Sequence, residues 1–524
     1  MIAQDSSRSE NNLRKGRPLG EVHDLKSDLA GRSIRGGSSL VVSEIGCNIF
    51  RLLGTVIMAR LLTPEHFGLI GMVTALTSFA EMFKDLGLGT ATIQRKEITH
   101  EQVSTLFWIN TGVGAGIMLA LAGAAPLISW FYGDSRLLWV AVAISSTFLF
   151  GGLTVQHQAL LRREMHFAKL AFIQVLSTGL STVIGIVLAW QGFEYWALVW
   201  KEVSRAVIQA AGTWTLSHWL PGFPVRGAGV RAMFETGSHV TGFNILAFAS
   251  RSLDQVLLGR FWGAGPVGLY KQAAQLLMLP VSMFSYPITY VMTPALSALQ
   301  SEPERYRSYY RRVVSFLAFG YMPLIAFLAV CSDSVIALVL GEKWMASSPV
   351  LQILALGAIV DPIAGTCGIV MVTNGKTKEY LRVGVAQAVY LSIAICIGIN
   401  WGLIGVAVAF AAYTLLSLPL LAWYSFRGTP VSPGLFFEAL RFPALATGIM
   451  SLGLITIRHL LGAPGQLVEL AYSGLLAPLL YCAVWLVLPG GKQRLVEFVS
   501  HIRLALNELV GRVWSPISQP ASGS

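Results

Sequence analysis

Apolar residues in this chain fall in runs of about 20, separated by short polar connections, with no strand-like alternation. A run of that length spans the ~30 Å of a bilayer core at ~1.5 Å per helical residue. Each run therefore predicts one membrane-crossing helix. Fourteen such spans are expected, at 38–62, 66–88, 104–131, 137–160, 168–190, 194–218, 236–261, 266–298, 312–340, 347–373, 380–400, 402–425, 438–460 and 466–488. The eighth and ninth are longer than a bilayer needs, which predicts tilt or extension beyond it.

The first span recurs 200 residues later. Gly37-Ser38 matches Gly237-Ser238, and Ile45, Arg51, Leu53, Val56 and Arg60 match Ile245, Arg251, Leu253, Val256 and Arg260. Gly68-Leu69 matches Gly268-Leu269, which makes nine identities over the 33 positions 37–69 without a gap. A duplicated chain follows, in which spans one and seven begin on the same side. Halves of that kind are related by an axis along the membrane normal. The expected fold is an all-α polytopic membrane protein with two six-helix lobes of the same topology around a central cavity. The first lobe is placed at 37–220 and the second at 236–426, joined by a linker at 221–235. Residues 437–489 form an appended helix pair. Residues 1–36 read as a disordered basic tail without a cleavable leader. In 490–524, Leu495, Phe498, Val499, Ile502, Leu506 and Leu509 recur at helical spacing, as in an amphipathic surface helix.

Composition agrees: 54% of residues are hydrophobic and 12% charged, about half the charge of a soluble domain. The net charge of +11 is explained by topology. With the N-terminus inside, 27 Lys and Arg lie in cytoplasmic segments and 3 (Arg136, Lys343, Arg458) in outside connections. That asymmetry is the positive-inside pattern. Both termini are then cytoplasmic, and the charge implies no nucleic-acid partner. Cys47, Cys331, Cys367, Cys396 and Cys482 sit in apolar stretches without CxxC spacing and read as small buried hydrophobes. Nucleotide-binding, HExxH and GxSxG motifs are absent, and no cofactor, metal or catalytic residue is expected.

The informative chemistry is charge inside the spans. A charged side chain at a helix centre costs about 2.5–3.5 kcal/mol on insertion scales, so such residues face a cavity or a partner. Glu44, Asn48, Arg51 and Thr55 form one stripe on span one, and Asn244, Arg251 and Gln255 occupy the matching positions on span seven, with Asp254 a turn beyond Arg251. Lys201 and Arg205 form an i, i+4 pair on span six. Two readings compete: Glu44–Arg51 and Arg251–Asp254 as internal ion pairs, or arginines facing a cavity and binding an anionic head group through their planar forks. Recurrence in the repeat favours binding for Arg51 and Arg251; Lys201 and Arg205 join them as substrate contacts. Glu44, Asp254 and Asp361, the last before Pro362 at a candidate helix break, are the ion-coupling candidates. Arg60 and Arg260 read as snorkelling to head groups, Glu81, Lys84 and Asp85 as a solvated helix end, and His157 and His239 as structural.

The stretch Ala59-Arg-Leu-Leu-Thr-Pro-Glu-His-Phe-Gly-Leu69, followed by Asp85-Leu-Gly-Leu-Gly89, resembles the N-terminal hallmark of bacterial polysaccharide flippases of the Wzx type. So does Asp254-Gln-Val-Leu-Leu-Gly-Arg260 with Gly268-Leu-Tyr270. These belong to the multidrug/oligosaccharidyl-lipid/polysaccharide exporter superfamily. The resemblance implies a non-enzymatic carrier in the bacterial inner membrane that moves undecaprenyl-diphosphate-linked oligosaccharide repeats to the periplasmic leaflet. Its implied partners are that lipid-linked oligosaccharide, membrane lipids, a polysaccharide polymerase and a chain-length regulator. An ion-coupled drug or cation exporter of the same superfamily is the nearest alternative. Against it, among the intramembrane charges singled out, the basic residues (Arg51, Arg60, Lys201, Arg205, Arg251, Arg260 and Lys271) outnumber the acidic ones (Glu44, Glu202, Asp254 and Asp361) 7 to 4. A non-transporting polymerase or assembly scaffold is the other; polymerases need large outside loops, which are missing here.

Overall fold

The computed structural model describes residues 29–81, 83, 87–95, 98–225, 252–462, 465–496, 498 and 500. Among them are seventeen α-helices. The first eight are α1 (Leu29–Leu61), α2 (Pro64–Glu81), α3 (Leu88–Gln94), α4 (His100–Tyr132), α5 (Arg136–Arg163), α6 (Phe167–Trp190), α7 (Tyr195–Ser217) and α8 (Leu253–Trp262). Then come α9 (Ala264–Ala298), α10 (Pro303–Val330), α11 (Ser332–Val339), α12 (Ser348–Ala358) and α13 (Asp361–Thr373). The last four are α14 (Thr377–Gly398), α15 (Gly402–Ser425), α16 (Pro433–Leu461) and α17 (Gln466–Val487).

Helices cover the expected spans; of the one expected at 236–261, only the α8 portion lies within the described residues. Local chemistry sets the ends. Thr63 precedes Pro64, which restricts it away from helix, so α1 stops at Leu61 and α2 starts on the proline. At the start of α4 the Thr99 hydroxyl accepts from the Gln102 N–H and the Gln102 side chain accepts from the Thr99 N–H, a reciprocal cap. Gly133, at φ 71°, ends that helix.

The structure differs from the expectation in four places. Helix α1 begins at Leu29, inside the segment read as a disordered tail; once a helix exists, each added residue gains a hydrogen bond. Span 66–88 ends at Glu81, and α3 follows as a separate short helix. Span 312–340 breaks at Cys331, before Ser332-Asp333-Ser334, whose short polar side chains compete with helical backbone. Span 347–373 breaks at 359–360. There Pro362 has no N–H to give the Ala358 carbonyl four residues back, and the buried Tyr321 hydroxyl donates to that oxygen instead, at 2.8 Å.

The described residues group into two compact units. The first runs up to Gln272 and adds Val339–Ser347 and Gly384–Ala409. In it α4 packs on α5, α6 on α7, α1 on α6, and α5 on α7. Small residues make these approaches possible, as expected where lipid removes the hydrophobic drive between helices. A Cβ on Gly114 of α4 would come 2.5 Å from the Phe148 carbonyl oxygen, and one on Gly152 of α5 2.5 Å from that of Asn110.

The repeat has a direct structural meaning in this unit. A Cβ on Gly68 of α2 would overlap the Ala264 carbonyl, and one on Gly268 of α9 would overlap the Pro64 carbonyl. Positions 64 and 68 thus meet 268 and 264 reciprocally, the signature of a two-fold contact. The same exchange recurs one turn back. Trp344 donates to the Ala59 carbonyl at 2.8 Å, while Tyr132 packs against Gly259, the residue 200 positions after Ala59. Each half's aromatic thus seats on the other half's first repeat segment.

In the second unit α10 packs on α16, α12, α13 and α17. Tyr306 and Tyr310 of α10 are fully buried, and their hydroxyls pair with Thr373 at 2.7 Å and Thr366 at 3.0 Å on α13. Helices α16 and α17 form a hairpin closed by the Arg458–Glu469 ion pair, and Ser334 donates to the same carboxylate at 2.7 Å. Residues 491–496, 498 and 500 are helical, and Phe498 rests on Phe319, 4.2 Å between ring centroids. Of the tail expected to be amphipathic, residues 497, 499 and 501–524 lie outside the described set.

Between α4 and α5 the Arg136 guanidinium pairs with Asp134 at 2.7 Å and Glu65 at 2.6 Å. The hydrogen bond from Arg136 holds the Asp134 carboxyl below its ordinary range. A carboxylate depressed in the fold stabilises it above the unfolded pKa of ~3.9 and loses that contribution as pH falls through the folded value. Wild type is expected to melt above Asp134→Asn at pH 7, with the gap closing as pH is lowered through 4. A gap that persists unchanged at pH 3 would contradict this.

Candidate functional site

A cavity of about 420 Å³ lies in the first unit among α2, α3, α5 and α7, within the range of ligand pockets, roughly 300–1,000 Å³. Helix α5 contributes Thr147, Gly151, Thr154, Gln158 and Arg162. Their steps of four, three, four and four residues make a single stripe on that helix, about 22 Å long at ~1.5 Å per residue. Helix α2 adds Thr74, Thr77, Ser78 and Glu81, and α7 adds Glu202, Arg205 and Gln209. Phe148 and Phe150 supply aromatic surface. Glu81, expected as part of a solvated helix end, lines this cavity.

Charge concentrates around Glu202. Arg205 donates through Nε to Glu202 Oε2 at 3.2 Å, and Lys201 Nζ lies 4.0 Å from Oε1. Lys271 of α9 donates to the Thr74 hydroxyl at 3.0 Å and interacts electrostatically with both Glu202 and Lys201. Arg205, Lys201 and Lys271 thus act on one carboxylate, and the lining adds Arg162 and Glu81, so the cavity and its immediate neighbours carry four cations against two carboxylates. An anion is attracted there, and the Arg205 fork offers the bidentate geometry that suits phosphate.

The residues read from the sequence divide among separate places. Lys201 and Arg205 belong to this cluster. Arg51 is half-exposed on α1, where it pairs with Glu44 at 3.1 Å and donates to Asn48 at 2.8 Å. Gln174 of α6 donates to the other Glu44 oxygen at 3.1 Å, so that network ties α1 to α6. Arg251 and His239 lie outside the described residues. Asp254 opens α8, accepting from the Gln255 N–H at 2.8 Å and from the Tyr270 hydroxyl. Asp361 is exposed at the first turn of α13, in the second unit, at the expected helix break. Arg60 and Arg260 are exposed, the latter 5.7 Å from the Phe131 ring centroid. His157 is fully buried and stacked on Trp214 at 4.7 Å. Cys47, Cys331 and Cys367 are buried, whereas Cys396 and Cys482 are exposed, contrary to the expectation for all five. In a membrane helix the lipid-facing side is as apolar as the core, so hydropathy does not separate them.

Lys271 is the site residue that the sequence argument passed over. It has neither a basic repeat partner, position 71 being Gly71, nor an i, i+4 basic neighbour like that of Lys201 and Arg205. The structure gives the reason: a Cβ on Gly71 would sit 3.4 Å from Lys271 Cδ. Near a two-fold axis equivalent positions face each other, and only one can carry a long side chain. Membership in the short set of intramembrane charges was the available signal.

The family model described as "Polysaccharide biosynthesis protein" matches residues 57–349. The chain is 27% identical over 418 residues to the teichuronic acid biosynthesis protein TuaB of Bacillus subtilis (strain 168), covering 78% of this chain and 86% of that one. It is 25% identical to the lipopolysaccharide biosynthesis protein WzxC of Escherichia coli (strain K12), covering 70% and 75% respectively. It is 24% identical to the succinoglycan biosynthesis transport protein ExoT of Rhizobium meliloti (strain 1021), covering 83% and 88%. Among solved structures, the lipid II flippase MurJ in an inward closed conformation superposes with a TM-score of 0.68 at 13% identity, over 85% of this chain and 97% of that one. An inward-facing multidrug resistance MATE family transporter of the MOP superfamily gives 0.58 at 14%, over 75% and 96%. The fold is that of these polytopic membrane proteins.

Proposed function

The chain belongs to the polysaccharide biosynthesis protein family, and on that premise we propose that it flips undecaprenyl-diphosphate-linked oligosaccharide repeats across the bacterial inner membrane. The observation that carries this reading is a polar cavity lined by Arg162, Arg205, Glu81 and Glu202, with Lys201 and Lys271 close behind Glu202 as further positive charges. Excess positive charge at the rim of a polar cavity within an otherwise apolar helical protein suits a diphosphate joined to a sugar. The names of two relatives point the same way: ExoT is a transport protein of succinoglycan biosynthesis, and MurJ is a lipid II flippase.

In this reading the diphosphate meets Arg205 with Lys201 and Lys271 beside it, while Arg51 and Arg251 are further contacts along the head group's path. The polyprenyl tail stays in lipid, and the two repeated lobes rock to expose the head group on the other side. Both termini face the cytoplasm, and a polymerase and a chain-length regulator take over the product outside. Glu44, Asp254 and Asp361 are the carboxylates proposed for ion coupling. The protein performs no bond-making step.

The test is where the repeat accumulates in a deletion strain of the host. Complete lipid-linked repeats held in the cytoplasmic leaflet, with polymer lost, are expected. Single repeats that reach the periplasm and stay unpolymerised would overturn the flippase reading in favour of a polymerase or assembly role.

A further inference from the structure

The wall of the cavity carries a second kind of chemistry, distinct from its charged edge. Thr147 and Thr154 donate to the Ile144 and Gly151 carbonyls of their own helix, each at 2.7 Å, and Thr74 donates to that of Gly71 at 3.1 Å. A hydroxyl has one proton and two lone pairs. With its proton held by the helix, each of these oxygens turns only acceptor capacity towards a ligand. The amides of Gln158 and Gln209 also line the cavity, and each offers two donors and an acceptor. The stripe Thr147–Thr154–Gln158 thus runs along α5 between hydrophobic Ile144 and charged Arg162, opposite Gln209 of α7.

A wall of threonine acceptors, of which Thr74 already accepts from Lys271, with two amides and the part-exposed Phe150, complements a ligand rich in hydroxyl donors with apolar ring faces. A phosphate, which brings only acceptors at neutral pH, gains nothing from the threonine oxygens. The two kinds of chemistry a sugar diphosphate brings thus meet different side chains of one cavity, with Gln209 one turn beyond Arg205 on α7 and Gln158 one turn before Arg162 on α5.

We propose that the α2–α5–α7 wall is a saccharide-binding compartment, with Gln158, Gln209 and Thr154 as its specificity-determining residues and the diphosphate held at Arg205. The proposal rests on the flippase reading for its place in transport. As a binding statement it stands by itself. Polar recognition of this kind discriminates strongly, because a sugar lacking the matching hydroxyl leaves a desolvated amide unpaired.

The experiment uses the full-length purified protein in detergent and two soluble probes. One is the oligosaccharide released by mild acid from the host's own lipid-linked repeat, and the other is inorganic pyrophosphate. Affinities are measured for wild type, Gln158→Ala/Gln209→Ala, Thr154→Val and Arg205→Ala, with melting temperatures as the folding control. The glutamine variant is expected to weaken oligosaccharide binding at least tenfold while changing pyrophosphate binding less than twofold. Arg205→Ala is expected to do the reverse. Thr154→Val keeps the shape and removes the acceptor, so it tests the wall even if the double variant unfolds. Oligosaccharide binding that is absent in wild type, or equal in wild type and folded variants, overturns the compartment. That failure would leave the deletion-strain result untouched. Conversely, selective oligosaccharide binding by a protein whose deletion still lets repeats reach the periplasm would keep the compartment and sink the flippase reading.

Discussion

Gly68→Val is expected to lower the melting temperature of the detergent-solubilised protein by several °C and to abolish polymer production. The added side chain collides with the Ala264 carbonyl, and backbone, unlike a flexible side-chain tip, cannot swing away. Overpacking of a well-packed site costs about 1–3 kcal/mol and more when backbone must move. At about 2.1 cal/mol/K per residue, each kcal/mol shifts the melting temperature of a 524-residue chain by roughly 1 °C. The reciprocal geometry makes a second claim: Gly268→Val, meeting the Pro64 carbonyl, should act to a similar extent. Gly116→Ala on α4 is the control, because a Cβ there meets nothing within 4 Å. If Gly68→Val melts within 2 °C of wild type, the α2–α9 crossing is not as close as described.

Arg205→Ala should reduce transport of the lipid-linked repeat at least tenfold, a loss of about 1.4 kcal/mol or more, with insertion and melting temperature near wild type. The guanidinium lines the cavity and is 44% exposed, so its removal alters what the cavity offers an anion more than it alters packing. Glu202 keeps Lys201 at 4.0 Å and the electrostatic contact of Lys271, so no carboxylate is stranded. Arg205→Lys retains charge but not the planar fork, and should fall between the two. Lys271→Met removes another cation from the same cluster and should slow transport in the same direction. A variant that inserts poorly or melts early, with normal transport per folded molecule, would show that the Arg205–Glu202 pair is structural.

Much of the architecture was legible in the sequence because bilayer physics acts on one helix at a time. Length and hydropathy place the spans, although the helices start at Pro64 and His100, ahead of the expected 66 and 104. The break beside Asp361-Pro362 was readable only as a candidate, because Pro126, Pro323, Pro419, Pro443 and Pro478 lie inside continuous helices. The candidate site was legible only in part. Lys201 and Arg205 were found as intramembrane charge, which is rare enough to notice. Thr147, Thr154, Gln158 and Gln209 were not, because a threonine or glutamine on a membrane helix gives no sign of what lies opposite it.

The repeat shows where the boundary between the two kinds of information falls. Its identities predicted duplication and drew attention to Arg51, whose guanidinium the fold binds to Glu44 and Asn48 and which is not among the residues lining this cavity. The same identities included Gly68 and Gly268 without indicating why both are glycine. Sequence by itself determined the helices, their order and the duplication, since these depend on residues near one another along the chain. Only tertiary structure decided that Gly68 and Gly268 cross, that Lys271 reaches Thr74, and that α2, α5 and α7 enclose a polar cavity. Those facts depend on which faces of distant helices meet, and that is set by close packing among side chains far apart in sequence.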